Sequence, residues 1–165
     1  MASKKGIIIT IAILAVISGA SFVIWFLPQN NDSSLVVSDY KNELDSIKER
    51  KSLISSEIDS SLRGLSDKST SPDEFINKTQ VSSSQVTSLI SELIESNAPP
   101  KWQQSYGAYF ESLKKYNEYL PEALTLANKV KTGISQNDLN DEMTKLDALM
   151  KESDTLAIKS DQTRP

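Results

Sequence analysis

Apolar residues recur at alternating intervals of three and four along most of the chain after residue 35. The first such segment carries the series Tyr40, Leu44, Ile47, Lys51, Ile54, Ile58, Leu62 and Leu65. This spacing places the side chains on one face of an α-helix, because about 3.6 residues make one turn. No segment shows the strict apolar–polar alternation that is typical of a β-strand. The sequence therefore predicts an all-α protein.

Breaks in this pattern divide it into four predicted helices. They cover about residues 35–65, 72–97, 101–132 and 136–160. The stripe of the second is Ile76, Thr79, Ser83, Val86, Ile90 and Leu93. The stripe of the third is Trp102, Tyr106, Tyr109, Leu113, Tyr116, Leu120, Ala123, Ala127, Val130 and Ile134. The stripe of the fourth is Leu139, Met143, Leu146, Met150, Ser153 and Ala157. The second begins at Ser71-Pro72-Asp73-Glu74, which is typical of a helix start, because serine caps free N–H groups and proline has none to lose. Long helices joined by short loops predict an antiparallel four-helix bundle with coiled-coil-like packing over residues 35–165.

An uncharged apolar segment precedes the predicted bundle at residues 6–27. As a helix these residues would be about 33 Å long, which is enough to cross a hydrocarbon core of about 30 Å. Trp25 and Phe26 end the segment, where an interfacial aromatic belt would lie. The alternative is a cleaved signal peptide ending near Ser18–Ala20, but such peptides have a shorter apolar region. We predict a retained transmembrane signal-anchor helix in the lipid bilayer.

The flanking charges predict how this segment is oriented. Lys4 and Lys5 precede it, and the first cation after it is Lys41. Because positive flanks stay inside, residues 1–5 are the predicted cytoplasmic tail and residues 28–34 an external linker. The protein is thus expected in the cell membrane as a single-pass protein, with its C-terminal domain outside.

Two sequons lie in the part predicted to be outside. Asn31 and Asn77 are each followed two residues later by Ser or Thr, so both are candidate glycosylation sites. The segment after residue 27 holds 16 of the 18 basic residues and all 22 acidic ones. A negative surface of this kind disfavours nucleic acid as a partner.

The composition excludes most familiar catalytic chemistry. The chain has no Cys and no His, so it has no Ser-His-Asp triad, imidazole base, thiolate nucleophile or cysteine-ligated metal. No glycine-rich phosphate loop and no GxSxG motif are present. Met143 and Met150 would allow a thioether copper(I) site, but core filling is the favoured interpretation. We predict no enzyme activity, no cofactor and no resident metal.

Aromatic residues concentrate at the start of the third predicted helix. Six of the eleven aromatic residues lie between positions 102 and 119: Trp102, Tyr106, Tyr109, Phe110, Tyr116 and Tyr119. They would widen the buried stripe so that it contacts two neighbouring helices. Alternatively, some would form an interaction surface, since such surfaces are rich in aromatic side chains. The candidate partner-binding residues are Trp102, Tyr106, Phe110 and Tyr119.

The first residues, MASKKGIIITIAILAVISGASFVIWFLPQNN, resemble the anchors of small exported proteins from ammonia-oxidising archaea. The lysine pair, the isoleucine-rich span and the Trp-Phe-Leu-Pro exit carry this resemblance. The segment Ala98-Pro99-Pro100-Lys101-Trp102 similarly resembles the middle turn of anchored helical domains. The resemblance implies an accessory subunit of archaeal ammonia monooxygenase, in which other subunits would bind the copper.

Together these features predict a non-catalytic, membrane-anchored interaction protein. It would be an accessory or stabilising subunit that contacts other subunits of a larger membrane protein complex. The alternative is a sensory or ligand-binding bundle that acts with a separate transducer. In that alternative Pro121 would be a hinge, and Lys51, Thr79 and Ser83 would line a pocket. The predicted cytoplasmic tail is short for signalling, so a small-molecule ligand is not the favoured expectation.

Overall fold

The computed structural model describes residues 39–165 of the chain, and these residues form helices. The predicted tail, transmembrane helix and linker, together with Asn31, lie outside the described residues. The helices are α1 (Tyr40–Ser66), α2 (Pro72–Glu95), α3 (Gln103–Thr132) and α4 (Gln136–Gln162). Between residues 39 and 165 there is no strand, so the all-α prediction is confirmed there. None of these four helices is both long and apolar enough to cross a membrane.

The helix boundaries differ from the predicted ones by a few residues. The first helix begins at Tyr40, where the Asp39 side chain caps it by accepting from the N–H of Asn42, and the predicted residues 35–38 lie outside the described residues. At the start of α2 the predicted serine cap is confirmed, since Ser71 Oγ accepts from the N–H of Glu74 at 3.2 Å. That helix ends at Glu95, two residues early, and the left-handed backbone of Asn97 follows.

Successive helices pack against each other in antiparallel directions. Arg50 of α1 pairs with Glu92 of α2, and Lys131 of α3 pairs with Asp73 of α2. Arg50, in the first half of α1, thus meets the end of α2, and Lys131, at the end of α3, meets the start of α2. α3 also contacts α1, whereas the Cα atoms of α1 and α4 stay more than 8 Å apart. The bundle is therefore open along its α1–α4 side.

The buried stripe follows the prediction closely in α1 and less closely in α2. All the predicted α1 positions are buried except Tyr40, which is half-buried. In α2 the buried residues include Phe75, Ser82 and Leu89, whereas the predicted Ile76 and Ser83 are only half-buried. The predicted and the observed residues have the same spacing of three and four. Which set is buried depends on how α2 packs against α1 and α3. The stripe of α2 is therefore rotated from the predicted one.

α3 is the central helix and is buried on two sides. Its predicted stripe is buried from Trp102 to Ala127 and continues through Pro121 without a break in the helix. Ser105 and Ser112 contact α4. Further residues of α3 are buried outside the predicted stripe: Ser105, Ala108, Ser112, Tyr119, Leu124 and Leu126.

α4 approaches α3 through paired serines. Ser105 Oγ donates to the carbonyl oxygen of Ser160, and Ser112 Oγ donates to that of Ser153, each at 2.7 Å. Ser153 Oγ in turn donates to the Ser112 carbonyl oxygen at 2.9 Å. A hydroxyl reaches the backbone of a facing helix only where both side chains are small, so the two helices are close here. We call these four residues the serine seam.

Candidate functional site

Two lysines of α1 bridge the gap to α4 across the tyrosine rings of α3. Lys48 Nζ lies 5.0 Å from the ring centroid of Tyr109 and 2.6 Å from Asp161 Oδ1. One helical turn later, Lys51 Nζ lies 4.9 Å from the ring centroid of Tyr116 and 3.2 Å from Asp154 Oδ1. Each ammonium therefore has an aromatic face below it and a carboxylate beside it. The long lysine side chains connect two helices whose backbones do not meet.

Burial and the neighbouring charges shift the pKa values of Lys48 and Asp161. Burial lowers the pKa of Lys48, although the hydrogen bond to Asp161 opposes that change. Burial also disfavours ionised Asp161, but the Lys48 hydrogen bond and the charges of Lys48 and Arg164 lower its pKa overall. Arg164 further donates to Asp45 of α1, so the C-terminal end of the described chain is held to the start of α1.

A second polar group lies beyond Lys51, where α1 faces the middle of α3. The rings of Tyr116 and Tyr119 stack with their centroids 5.4 Å apart and their planes 12° apart. Their side chains are 0% and 2% exposed, and neither hydroxyl has a hydrogen-bond partner in the structure. Burial raises the pKa of both hydroxyls, and the negative charge of Asp59 on α1 raises it further.

Asp59 itself lacks a close partner. Burial raises the pKa of its carboxyl, while the charges of Arg63 and Lys51 oppose that change without overcoming it. Neither cation is within ion-pair distance of Asp59, and Lys51 is paired with Asp154 instead. The described residues thus hold a half-buried carboxylate and two buried phenols whose hydrogen-bonding capacity is unused.

Asp59 also borders an open groove of about 620 Å³ on α1. The groove is lined mainly by small hydroxyl side chains: Ser52, Ser55, Ser56, Ser60, Ser61, Ser69 and Thr70. The loop after α1 closes one end of it, where the Thr70 N–H donates to the Gly64 carbonyl oxygen at 2.9 Å. Glycine is required at position 64, because a Cβ there would overlap the Thr70 side chain.

A different surface, on α2, is unusual in its lack of charge. No charged residue occurs from Thr79 to Ser91, which is the longest such run between residues 39 and 165. The exposed residues of this run share one side of the helix, and we call them the α2 face: Gln80, Val81, Ser84, Gln85 and Ser88. Two of its hydroxyls, of Ser84 and Ser88, donate to backbone carbonyls four residues earlier. The face is therefore neutral, and part of its polarity is satisfied within the helix.

The candidate partner-binding aromatics do not share one surface. Trp102, Tyr106 and Tyr119 are buried, and Phe110 is half-buried with Lys114 Nζ 5.4 Å from its ring centroid. The Tyr106 hydroxyl lies 2.8 Å from the Tyr40 carbonyl oxygen and 2.9 Å from Glu43 Oε2. These positions favour the core interpretation of the aromatic concentration. Binding of a partner through these residues stays a prediction.

The other candidate residues are placed as follows. Lys51 and Thr79 are buried, but Thr79 donates to the Phe75 carbonyl oxygen while Lys51 points to α3 and α4. Neither of them, nor the half-buried Ser83, lines the groove on α1. Met143 and Met150 are half-buried and pack against the core. Asn77 is exposed on α2, so its glycosylation stays a prediction.

Sequence reasoning missed most of the serine seam and the position of Asp59. Of the seam, the spacing marked Ser153 alone, on the stripe of α4, because serine does not count as apolar; its members nevertheless recur seven residues apart on each helix. Asp59 follows Ile58 on an ordinary amphipathic helix, and nothing in its spacing marks it.

Within residues 39–165 no three acidic side chains are grouped so that they could hold a metal ion. Comparison of the chain with protein-family models, with curated proteins and with solved structures finds no match. Proposals about function therefore depend on the features described above.

Proposed function

We propose that this chain is a non-catalytic interaction protein, anchored by residues 6–27 in the membrane, whose external bundle contacts other subunits of a membrane complex. The α2 face is the contact surface in this proposal. Its support is the absence of charge over thirteen consecutive residues, in a chain of which 24% of the residues are charged. Cores of protein interfaces are depleted of charge in the same way.

Two further observations support the α2 face as a contact surface. Val81, in the middle of this face, is 59% exposed, so apolar area is available there. The hydroxyls of Ser84 and Ser88 already have acceptors in their own helix, so covering them would leave fewer unpaired polar groups. A partner helix with small or apolar side chains fits such a surface. The resemblance of the first residues adds the proposal that this complex is archaeal ammonia monooxygenase.

The test replaces two serines of the α2 face by arginine in the full chain. After mild detergent extraction from native membranes, native electrophoresis should show the wild-type chain in a high-mass assembly. The Ser84→Arg/Ser88→Arg variant should leave that assembly, because a charge buried without a partner at an interface weakens binding by at least about tenfold.

The matched control is Thr144→Arg/Thr155→Arg on the exposed side of α4. These hydroxyls also donate to carbonyls four residues earlier, so the control repeats the same change on a different helix. Far-UV circular dichroism should show that both variants remain helical. Recovery of the wild-type chain only as a monomer would contradict the proposal, and equal behaviour of the two variants would contradict the choice of the α2 face.

A further inference from the structure

The sequon at Asn77 lies inside a helix, and its first and third residues have opposite environments. Asn77 is exposed on α2, whereas Thr79 is fully buried and its hydroxyl donates to the Phe75 carbonyl oxygen at 2.8 Å. Residues two apart on a helix point about 200° away from each other, since one turn holds about 3.6 residues. The asparagine amide and the threonine hydroxyl therefore lie on opposite sides of α2.

The middle residue of the sequon is held as well. Lys78 Nζ lies 3.0 Å from Glu74 Oε1 and donates to Ser61 Oγ of α1 at 3.4 Å. This part of α2 is not a loose helix end, because Ser71 caps it and Pro72 begins it. Contacts to the core and to α1 thus hold the backbone of the sequon in helical form.

Transfer of a glycan to asparagine uses both of these side chains at once, and acceptor sequons accordingly lie in surface loops. The transferase binds the hydroxyl of the third residue while the asparagine amide reacts. Asn77 Nδ2 would bond to the anomeric carbon of a lipid-linked oligosaccharide, and the bond from that carbon to the lipid phosphate would break. One amide proton would pass to a base of the transferase. Because Thr79 is buried, the enzyme can hold both groups only after the first half of α2 unwinds.

Asn77 also borders the α2 face. It lies four residues before Val81 and seven before Ser84, so these three side chains follow one line along the exposed side of the helix. A glycan is bulky compared with the side chains of this line. A glycan on Asn77 would therefore cover the start of the α2 face and hold a partner helix away from it.

We propose that folding of α2 closes the Asn77 sequon, so that this site accepts a glycan only while α2 is unfolded, and that a glycan attached there prevents contact through the α2 face. The first part stands on the geometry of α2 alone. The second part rests on the proposed function, because it concerns the same face. Folding before modification keeps the face available to its partner, and modification before folding excludes the chain from the complex.

The test of the first part uses the full chain with Asn31→Gln in detergent, because this substitution leaves Asn77 in the one remaining sequon of the sequence. The folded chain is incubated with a purified oligosaccharyltransferase and a lipid-linked oligosaccharide, and intact-mass spectrometry follows the added mass. Modification of Asn77 should be at least about a hundredfold slower than that of a sequon in a loop, because only the small locally unfolded fraction can react.

The loop sequon is made in the same chain by adding Lys68→Asn, which completes a triplet with Ser69 and Thr70 between α1 and α2. Lys68 is exposed, and its backbone is left-handed with φ 66°, a conformation that asparagine adopts more readily than most residues. This second sequon should be modified in the folded chain, which shows that the transferase is active on it.

A pair of cap variants links the rate to the unwinding of α2. Ser71→Ala removes the cap of α2 and should speed modification of Asn77 about fivefold, because it makes unwinding of the first turns easier. Ser135→Ala removes the cap of α4, whose Oγ accepts from the Asp138 N–H at the same distance of 3.2 Å. This matched control should leave the rate at Asn77 within about twofold.

A second measurement tests whether the α2 face has room for a glycan in the complex. The sequence contains no cysteine, so Asn77→Cys and Thr144→Cys each introduce a single thiol at an exposed position. A maleimide-linked polyethylene glycol should label both variants at equal rates in the isolated chain. In the high-mass assembly, labelling of the Asn77→Cys variant should be at least about tenfold slower than that of the Thr144→Cys variant.

Each part of the proposal has its own contradicting result. Modification of Asn77 in the folded chain at the rate of the loop sequon would overturn the first part, and so would equal rates for the two cap variants. Equal labelling of the two thiols in the assembly would overturn the second part. Recovery of the wild-type chain only as a monomer would overturn the second part together with the proposed function, whereas the first part is measured on the isolated chain.

Discussion

The two sides of α3 treat buried polar groups in opposite ways. Toward α4, three of the four hydroxyls of the serine seam donate to a carbonyl oxygen of the facing helix at 2.7–2.9 Å. The fourth, Ser160 Oγ, lies 3.2 Å from Ser105 Oγ. Toward α1, the hydroxyls of Tyr116 and Tyr119 are equally buried and have no partner. Both sides contain buried hydroxyls. Those of the serine seam have hydrogen-bond partners within the protein, whereas those of Tyr116 and Tyr119 have none.

Side-chain size explains the difference. Serine keeps the backbones of α3 and α4 close, so a short hydroxyl reaches the opposite helix directly. Tyrosine and lysine keep α1 further from α4, and the gap is crossed by the long side chains of Lys48 and Lys51. Short hydrogen bonds therefore fix α4 against α3, whereas on the other side the hydroxyls of Tyr116 and Tyr119 are left without partners.

The largest effect is expected from filling the serine seam with a large side chain. Ser112→Leu should lower the free energy of unfolding by about 3 kcal/mol, because it adds methylenes to a close contact and removes a buried donor. Urea denaturation of the full chain, followed by far-UV circular dichroism, measures this. Ser46→Leu on the exposed side of α1 is the control, and it should cost less than about 0.5 kcal/mol. A cost below about 1 kcal/mol for Ser112→Leu would show that α4 can move away without loss.

A smaller effect is expected at the one α3 tyrosine whose hydroxyl is bonded to α1. Tyr106→Phe removes the donor shared by the Tyr40 carbonyl oxygen and Glu43 Oε2, and should cost about 2 kcal/mol. Burial raises the pKa of Glu43, and the hydrogen bond from Tyr106 opposes that change. Without Tyr106 the ionised form of Glu43 is less stable. The cost should therefore be larger at pH 7, where Glu43 is ionised, than at low pH, where it is protonated.

The comparison of the two sides also shows what could be predicted from the sequence. The α1 stripe was predicted with its buried Lys51, because the intervals of three and four residues continue through that lysine. The four helices and the serine cap of α2 were predicted from similarly local signals, such as Ser71 before Pro72. These signals belong to single helices and need no knowledge of the neighbours.

The polar contacts between helices could not be predicted in this way. Whether Phe75 or Ile76 faces the core depends on which helices flank α2, since both fit the same spacing. The partnerless state of the Tyr119 hydroxyl depends on where α1 lies relative to α3. Both are properties of helix packing, whereas the sequence pattern reports only the faces of each helix.

The Asp59 carboxyl should respond to pH in the direction opposite to a paired carboxylate. Its pKa is raised in the folded chain by burial, so the folded state binds a proton more readily than the unfolded state. Ionisation of Asp59 therefore lowers the free energy of unfolding as the pH rises from the unfolded pKa through the folded pKa. Below the unfolded pKa this loss is absent. Asp59→Asn should raise the free energy of unfolding by about 1 kcal/mol at pH 7.

The pH dependence of that gain is the check on its cause. The difference between Asp59→Asn and the wild-type chain should shrink as the pH falls toward the ordinary pKa of an aspartate, near 3.8. The matched variant Asp161→Asn should behave in the opposite way, because the pKa of Asp161 is lowered in the folded chain. Its stability loss should be present at pH 7 and disappear in acid. A gain for Asp59→Asn that is constant with pH would mean that the charge is not its cause.

The smallest effects are expected from removing the partnerless hydroxyls. Tyr116→Phe and Tyr119→Phe delete only a group that makes no hydrogen bond, so no bond is lost and the burial cost of one hydroxyl is removed. The free energy of unfolding of each variant should equal that of the wild-type chain or exceed it by about 0.5 kcal/mol. Tyr106→Phe is the matched control, since it is the same substitution on the same helix at a hydroxyl that has partners. If all three substitutions were equally costly, the hydroxyls of Tyr116 and Tyr119 would have to be bonded in solution, and the contrast between the two sides of α3 would disappear.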